Sequence, residues 1–413
     1  MSDSARAPQQ GAEADIDIEI DIAIVGGGLI GASIALELAD SGYSTLMLEA
    51  FVPPPAPATW DERCIAVNAA SQQVLQRLGL WPTLAPLTQA ITRTHIGEQG
   101  RFGVARFDAR DSGHAALGYN IPIRALGEHT LAAARARGCT LWAPAKLIGL
   151  QHEPDRVRLS LDDGRQVRAR LVIAADGMHS PVRNWLGIGA QTFDYQQSAI
   201  VTAVRTARSV DGCAYERFTP GGPIALLPKP WQGEDRVCSL IWTTPTAQLR
   251  ARMALSDADF LAAAQATFGE RAGRFLALGK RQAHPLTRVV SGRIHATRVV
   301  LIGNAAQSLH PAAAQGFNLG LRDVAALGQV LRAQAQGGGD PGEATALQRY
   351  AALRESDRAR TALFTDSVVR LFSNRVPGLR HLRHLGLLAL DMTPALREAV
   401  MWQNLGYGDK GRL

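Results

Sequence analysis

The sequence is short of cysteine and lysine, and it has no long apolar run. Its four cysteines, Cys64, Cys139, Cys213 and Cys238, form no C-x-x-C pair, and no histidine cluster stands at metal-ligand spacing. That excludes a disulfide scaffold and gives no reason to expect a metal; reduced, buried thiols are expected instead. Lysine occurs only at Lys146, Lys229, Lys280 and Lys410, so the net charge of +7 is carried by arginines scattered along the chain. Without a block of five or six basic residues, no nucleic-acid partner is expected, and attraction to anionic lipid is the weaker reading. No run of 18 apolar residues exists, so no transmembrane helix is expected. The polar, acidic start MSDSARAPQQGAEADID lacks a charged segment followed by an apolar core, which argues against a secretory leader and for a cytoplasmic location.

What the chain has is material for a large core. Of 413 residues, 46% are hydrophobic and 20% charged, enough for two or three domains or one interleaved unit. Residues 1–17 read as a disordered tail. Ile18-Glu19-Ile20-Asp21-Ile22 then alternates and Ala23-Ile24-Val25 is continuously apolar, as in a strand entering a buried parallel sheet. Leu29–Asp40 has helical spacing, stopped by Ser41-Gly42, and Ser44–Leu48 is a second short strand. These elements make a βαβ unit.

Further on, helices are expected at Ala70–Leu78, Leu126–Arg137 and Asp257–Thr267. Strands are expected at Leu171–Ala175, Ala199–Val204, Val237–Trp242 and Arg298–Ile302. Pro53-Pro54-Pro55-Ala56-Pro57 reads as a stiff connector, and the chain beyond Gly337-Gly338-Gly339 reads as helical. The expected fold is α/β: a Rossmann-like FAD- or NAD-binding domain with a parallel sheet, interleaved with a smaller mixed β-sheet substrate domain, and a C-terminal helical region. The expected division is 18–80, 110–188 and 290–365 for the nucleotide-binding domain, 81–109 and 189–289 for the substrate domain, and 366–413 for the helical region.

Between the first strand and helix stands Gly26-x-Gly28-x-x-Gly31, and Glu49 ends the next strand, 18 residues after Gly31. The first glycine permits a tight turn, the second lets backbone approach a pyrophosphate, and the third lets helix pack on strand. The helix start offers unpaired N–H groups to phosphate oxygens, and Glu49 can accept hydrogen bonds from ribose hydroxyls. An acid at 49 disfavours a 2′-phosphate. The motif alone leaves FAD and NAD both open.

Two later motifs also follow apolar strands: Asp176-Gly177-Met178-His179-Ser180-Pro181-Val182-Arg183, and Gly303-Asn304-Ala305-Ala306-Gln307 with Ser308-Leu309-His310-Pro311 and Gln315-Gly316-Phe317-Asn318. In this order the three motifs resemble those of the aromatic-ring flavoprotein hydroxylases related to para-hydroxybenzoate hydroxylase, over residues from about 20 to 405. The resemblance implies FAD as cofactor and NAD(P)H as co-substrate, without a separate nucleotide domain. It implies that oxygen reaches a phenol ring through a flavin hydroperoxide.

By position, the resemblance places Asp176 near the FAD pyrophosphate, Gly303 and Asn304 at the ribityl chain, and Pro311, Gly316 and Asn318 around the flavin ring. Arg63 and Arg124 match cofactor-contacting arginines, and His310 is a candidate active-site group. Asn304 departs from the family's Asp, and Gln307 from its His. With Asp61-Glu62-Arg63-Cys64 and Ala116-Leu117-Gly118-Tyr119, these departures are similar to the branch of 2-polyprenyl-6-methoxyphenol hydroxylases of ubiquinone biosynthesis. That branch implies a polyprenylated phenol as substrate and contact with a ubiquinone biosynthetic complex.

Plainer readings stand beside these. Asp176 can be a turn residue, His310 a satisfied histidine beside a proline turn, and Arg63 and Arg124 surface ion-pair partners. Ala225-Leu226-Leu227-Pro228 and Leu240-Ile241-Trp242 can line a substrate pocket or simply fill a sheet core. No base for the phenol stands out. The basic, amphipathic stretch Leu379–Leu405 can touch the inner membrane peripherally or pack on the protein. A hydroxylase of a small soluble aromatic, a non-catalytic FAD-binding scaffold and an FAD-dependent prenyl reductase are the alternative functions.

Overall fold

A computed structural model describes residues 18–52, 57–101, 103–309, 315–372, 386 and 389–408. The N-terminal tail, Pro53–Ala56, His310, Pro311 and much of 373–388 lie outside the described residues.

Two large sheets carry the molecule. The first is built on five parallel strands in the order Val299–Leu301, Gln166–Ala174, Ile18–Val25, Thr45–Leu48, Thr140–Trp142. Val167, Leu171, Val172, Ile173, Ile22 and Ile24 are fully buried, as a sheet covered on both faces requires. Helix Leu29–Glu37 packs against helices Ile123–Ala136 and Gln315–Gln336 on this core.

The second sheet is mixed and mostly antiparallel. It runs from Gln307–Ser308 through Gln282–Ser291, Ala190–Thr206, Val237–Pro245, Ile224–Pro228, Cys213–Phe218 and Arg93–Glu98 to Val104–Asp108. Helix Asp257–Phe268 covers one face, where Phe260, Ala264 and Phe268 meet Ile200, Ile224, Leu226, Leu240 and Trp242. Side chains alternate along strands, so Val201, Glu216, Ala225, Leu227 and Ile241 share the opposite face by register. There they are only partly covered. The two apolar segments thus split: Leu226, Leu240 and Trp242 fill core, while Ala225, Leu227 and Ile241 sit on the more open side.

A small third sheet, with order Cys64–Asn68, Gly118–Pro122, Gln89–Ile91, lies between the two. It touches the open face where Asn120 Nδ2 donates to Ser239 Oγ at 3.4 Å.

The expected helices and strands occur with shifted ends: Ala69–Arg77, Ile123–Ala136 and Asp257–Phe268, and Gln166–Ala174, Ala190–Thr206, Val237–Pro245 and Val299–Leu301. Helix Ala344–Phe372 runs through position 366 without a break. Helix Pro394–Leu405 buries Met401 and Leu405 against Ala69, Ala105 and Phe107, so at least this part of the C-terminal stretch packs on the protein. Among the described residues, no helix is long and apolar enough to cross a membrane.

Candidate cofactor and active site

The three motifs begin side by side. Val25, Ala174 and Leu301 are matched across adjacent parallel strands. Each chain leaves the sheet at the same edge, stitched by Ala175 N–H to Val25 O at 2.8 Å and Ile302 N–H to Ala174 O at 3.0 Å. In an open parallel sheet, ligands bind outside this carboxyl end.

The first turn has the space its glycines were expected to provide. Gly26 has φ +103°, a conformation that side chains disfavour, and a Cβ there would lie 2.6 Å from Ala175 O. A Cβ on Gly31 would sit 1.8 Å from Gly26 O, so only glycine lets the helix come this close. At Gly28 a Cβ would meet nothing within 4 Å, which leaves open space directly before the first helical N–H groups. Glu49 faces the same turn, but its carboxylate is already engaged: Oε2 accepts from Gly27 N–H at 2.6 Å and Oε1 from Phe51 N–H at 2.9 Å. Each oxygen keeps a lone pair for a ribose hydroxyl.

The second motif is tied to the third. Ser180 caps helix Pro181–Trp185 by accepting from Arg183 N–H at 3.0 Å. Buried Arg183 then donates to Ala305 O and Met178 O, both at 3.0 Å. The role of this arginine was not visible in the sequence, because its partner lies 122 residues on. Asp176 Oδ2 accepts from Val182 N–H at 3.2 Å, while its buried Oδ1 has no partner among the described residues. Burial raises the Asp176 carboxyl above its ordinary value.

In the third motif Asn304 is exposed while Gly303, Ala305 and Ala306 are buried. A Cβ on Gly316, in the first turn of helix Gln315–Gln336, would meet none of the described residues within 4 Å. Asn318 is buried and turns its side chain to the third sheet, accepting from Asn68 N–H at 3.0 Å and donating to Ala66 O at 3.1 Å. Gln307 explains its own departure from the family. Its Nε2 donates to Asp323 Oδ2 at 2.7 Å, and its Oε1 accepts from Arg358. Asp323, fully buried, also accepts from Gly303 N–H at 3.0 Å and from Arg354 Nε at 2.7 Å. Arg354 and Arg322 share Asp357. This network anchors the third turn from behind and was not read from the sequence.

Of the two arginines, Arg124 is paired with Glu62 at 3.1 Å and Glu128 at 2.7 Å. Arg63 makes no side-chain hydrogen bond among the described residues. It lies near His284, whose Nε2 is buried without a partner among the described residues. Burial, reinforced by the Arg63 charge, lowers the His284 pKa. The segment carrying Arg63 is held by buried Lys229, which donates to Trp60 O and, at 2.7 Å, to Glu62 O. Burial lowers the Lys229 pKa and raises that of neighbouring Cys64 to about 12.

A dinucleotide such as FAD fits these residues. Among the described residues, open space lies before the Gly28 helix start and beside Gly316, and a buried, unpartnered Asp176 oxygen stands at the same edge. Among the described residues, no group of three or more His, Cys, Asp or Glu is placed to hold a metal.

Comparison with known proteins agrees. The sequence profile of the family described as "FAD binding domain" matches residues 19–363. The chain is 37% identical to "Ubiquinone hydroxylase UbiL" of Rhodospirillum rubrum, covering 98% of this chain and 92% of that one. It is 33% identical to "3-demethoxyubiquinol 3-hydroxylase" of Escherichia coli, covering 94% and 98%. Among solved structures, p-nitrophenol 4-monooxygenase PnpA of Pseudomonas putida DLL-E4 shares the fold, with TM-score 0.78 at 17% identity over 95% of this chain and 100% of that one. The chain belongs to the FAD binding domain family, as an FAD-dependent aromatic-ring monooxygenase that uses NAD(P)H.

Proposed function

We propose that this chain hydroxylates a polyprenylated phenol on the way to ubiquinone. The observation that carries the reading is near full-length similarity to two proteins named for hydroxylating ubiquinone or its precursor. FAD would be held by Gly26, Gly28, Gly31 and Glu49 at the adenosine and pyrophosphate end. Asp176, Gly303 and Asn304 would serve its middle, and the N–H groups of Gly316 and Asn318 its ring, with Arg63 beside it. Arg124 would act on the cofactor only after loosening its ion pairs. His310 and Pro311 lie outside the described residues, and their roles stay as the resemblance implies. Residues 18–80, 110–188 and 290–365 form the cofactor unit in this reading, and 81–109 with 189–289 the substrate unit.

When bound, FAD supplies oxygen activation with electrons from NAD(P)H. The protein's part is to orient the ring at near-attack distance and keep water away. Val201, Ala225, Leu227 and Ile241 offer an apolar wall for that. A small carboxylated substrate is disfavoured because the cations it would need are committed. Arg205 pairs with Glu234 at 3.0 Å, Lys229 holds backbone carbonyls, and Arg217 stacks over Phe268 on the helix-covered face. Attachment to a biosynthetic complex and to the inner-membrane surface belongs to the same proposal.

Deleting the gene in its host and weighing the accumulating quinone precursors tests the reading. A polyprenylphenol lacking one hydroxyl is expected, and unchanged quinone would refute the proposal. Gly28→Val should purify folded but colourless, because the added side chain would fill the open space before the helix without touching protein. A yellow variant would contradict the cofactor assignment of that turn.

A further inference from the structure

The sequence offered no base for the phenol, and the structure offers a candidate. Glu216 lies in the strand Cys213–Phe218, matched to Ala225 on one side and Ile96 on the other. Alternation along the strand puts Tyr215 and Arg217 on the helix-covered face, where both rest on Phe268. Glu216 therefore faces the other way, with Ala225, Leu227, Ile241 and Val201. Part of its surface stays accessible, yet its carboxylate makes no hydrogen bond or ion pair among the described residues. A carboxylate in apolar company that is neither buried outright nor paired is costly to keep charged.

We propose that Glu216 accepts the proton of the substrate's phenol, a role that rests on the hydroxylase reading above. The phenol O–H bond breaks as Glu216 takes the proton, and the freed electron pair flows into the ring. A ring carbon then forms its bond to the oxygen atom derived from O₂. The second oxygen leaves as water, with two electrons from NAD(P)H. Loss of the proton on that carbon restores aromaticity, and Glu216 returns its own proton to the phenolate oxygen. The apolar surroundings raise the carboxyl pKa to about 7, from burial alone. That is the range in which a carboxylate serves best as a general base at neutral pH.

The other titratable groups on this sheet face are Glu98, Arg205, His284 and, next after Leu227 in the alternation, Lys229, with Arg63 beside His284 and Cys64 of the third sheet beside Lys229. Glu98 is the nearest by register, matched to Phe218. His284 lies four strands away, about 19 Å at the usual strand spacing, and its pKa is lowered, so the two groups titrate apart.

The test compares FAD-loaded wild type with E216Q, which keeps shape and removes the titration. Two readouts are taken across pH 5–9: equilibrium binding of 2-methoxyphenol and the rate of its hydroxylation. Wild type should lose rate below about pH 7 and bind the phenol more weakly there. E216Q should bind without that pH dependence and turn over at least 100-fold more slowly, with flavin content retained and melting temperature not lowered. E216D, with the acid drawn back, should keep a pH-dependent binding limb. Identical binding profiles in wild type and E216Q would overturn the role of Glu216, whatever the turnover. Wild type that binds the phenol with the expected pH limb but never hydroxylates any phenol would instead overturn the functional reading. An acid limb that survives E216Q and disappears in His284→Gln would assign the proton to the wrong residue here.

Discussion

Two acids in this molecule sit in opposite circumstances. Asp323, behind the third motif, accepts from Gly303, Gln307 and Arg354. Glu216, on the open face of the mixed sheet, has no partner among the described residues. A fully paired buried carboxylate fixes its surroundings, and removing it strands its cations. An unpaired one costs stability in its charged form and persists where chemistry uses it. The first region is architecture that holds a turn in place, and the second is a surface kept ready for a ligand.

The sharpest way to break this contrast is Asp323→Ala. It would leave Arg354, 4% exposed, with only Asp357, which it shares with Arg322, and should lower unfolding free energy by about 3 kcal/mol. Chemical denaturation measures it, and a loss below 1 kcal/mol would demote the network to ornament. Gln307→Leu removes one donor to Asp323 and one acceptor for Arg358, and should cost about 2–3 kcal/mol in the same assay.

Glu216→Gln should move stability the other way. The folded pKa of about 7 exceeds the ordinary carboxylate value of 4.5, so the folded state holds the proton more tightly. Wild-type stability from this group therefore falls as pH rises from about 4.5 to 7, and stays lower above that. The variant should be more stable by roughly 2 kcal/mol at pH 8, after allowance for partial solvent contact, and equal near pH 4. Equal stability at both pH values would mean that Glu216 is solvated after all. Arg124→Ala, at a partly exposed pair, should change stability by no more than about 1 kcal/mol. Flavin loss without such a change would mark Arg124 as a cofactor contact rather than an ion-pair partner.

The sequence disclosed what depends on neighbours along the chain. Gly26, Gly28 and Gly31 announce a turn because strand, glycines and helix follow one another. The apolar runs at Ile22–Val25, Leu171–Ala174 and Val299–Leu301 announce buried parallel strands. What stayed hidden depends on partners far apart. Arg183 reaches Ala305, Asn318 spends its side chain on Ala66 and Asn68, and Gln307 finds Asp323 and Arg358 only once two long helices pack together. The third sheet escaped notice because its strands are short and their pairing is non-local. The isolation of Glu216 was least legible of all, since a sequence does not show which groups fail to face one another.

One chain of asparagines carries a consequence for synthesis. Asn318 accepts from Asn68 N–H, Asn68 Oδ1 accepts from Ser71 N–H at 2.9 Å, and Asn68 Nδ2 donates to Asn404 O at 3.2 Å. The glycine turn leaves the ribosome well before the residues that brace the opposite wall. A nascent chain can close its first βαβ unit promptly, but it completes this brace only once Asn404 has emerged. Flavin capture should therefore wait for that residue, and a message truncated before codon 404 should yield a protein that folds in its first half and washes free of colour.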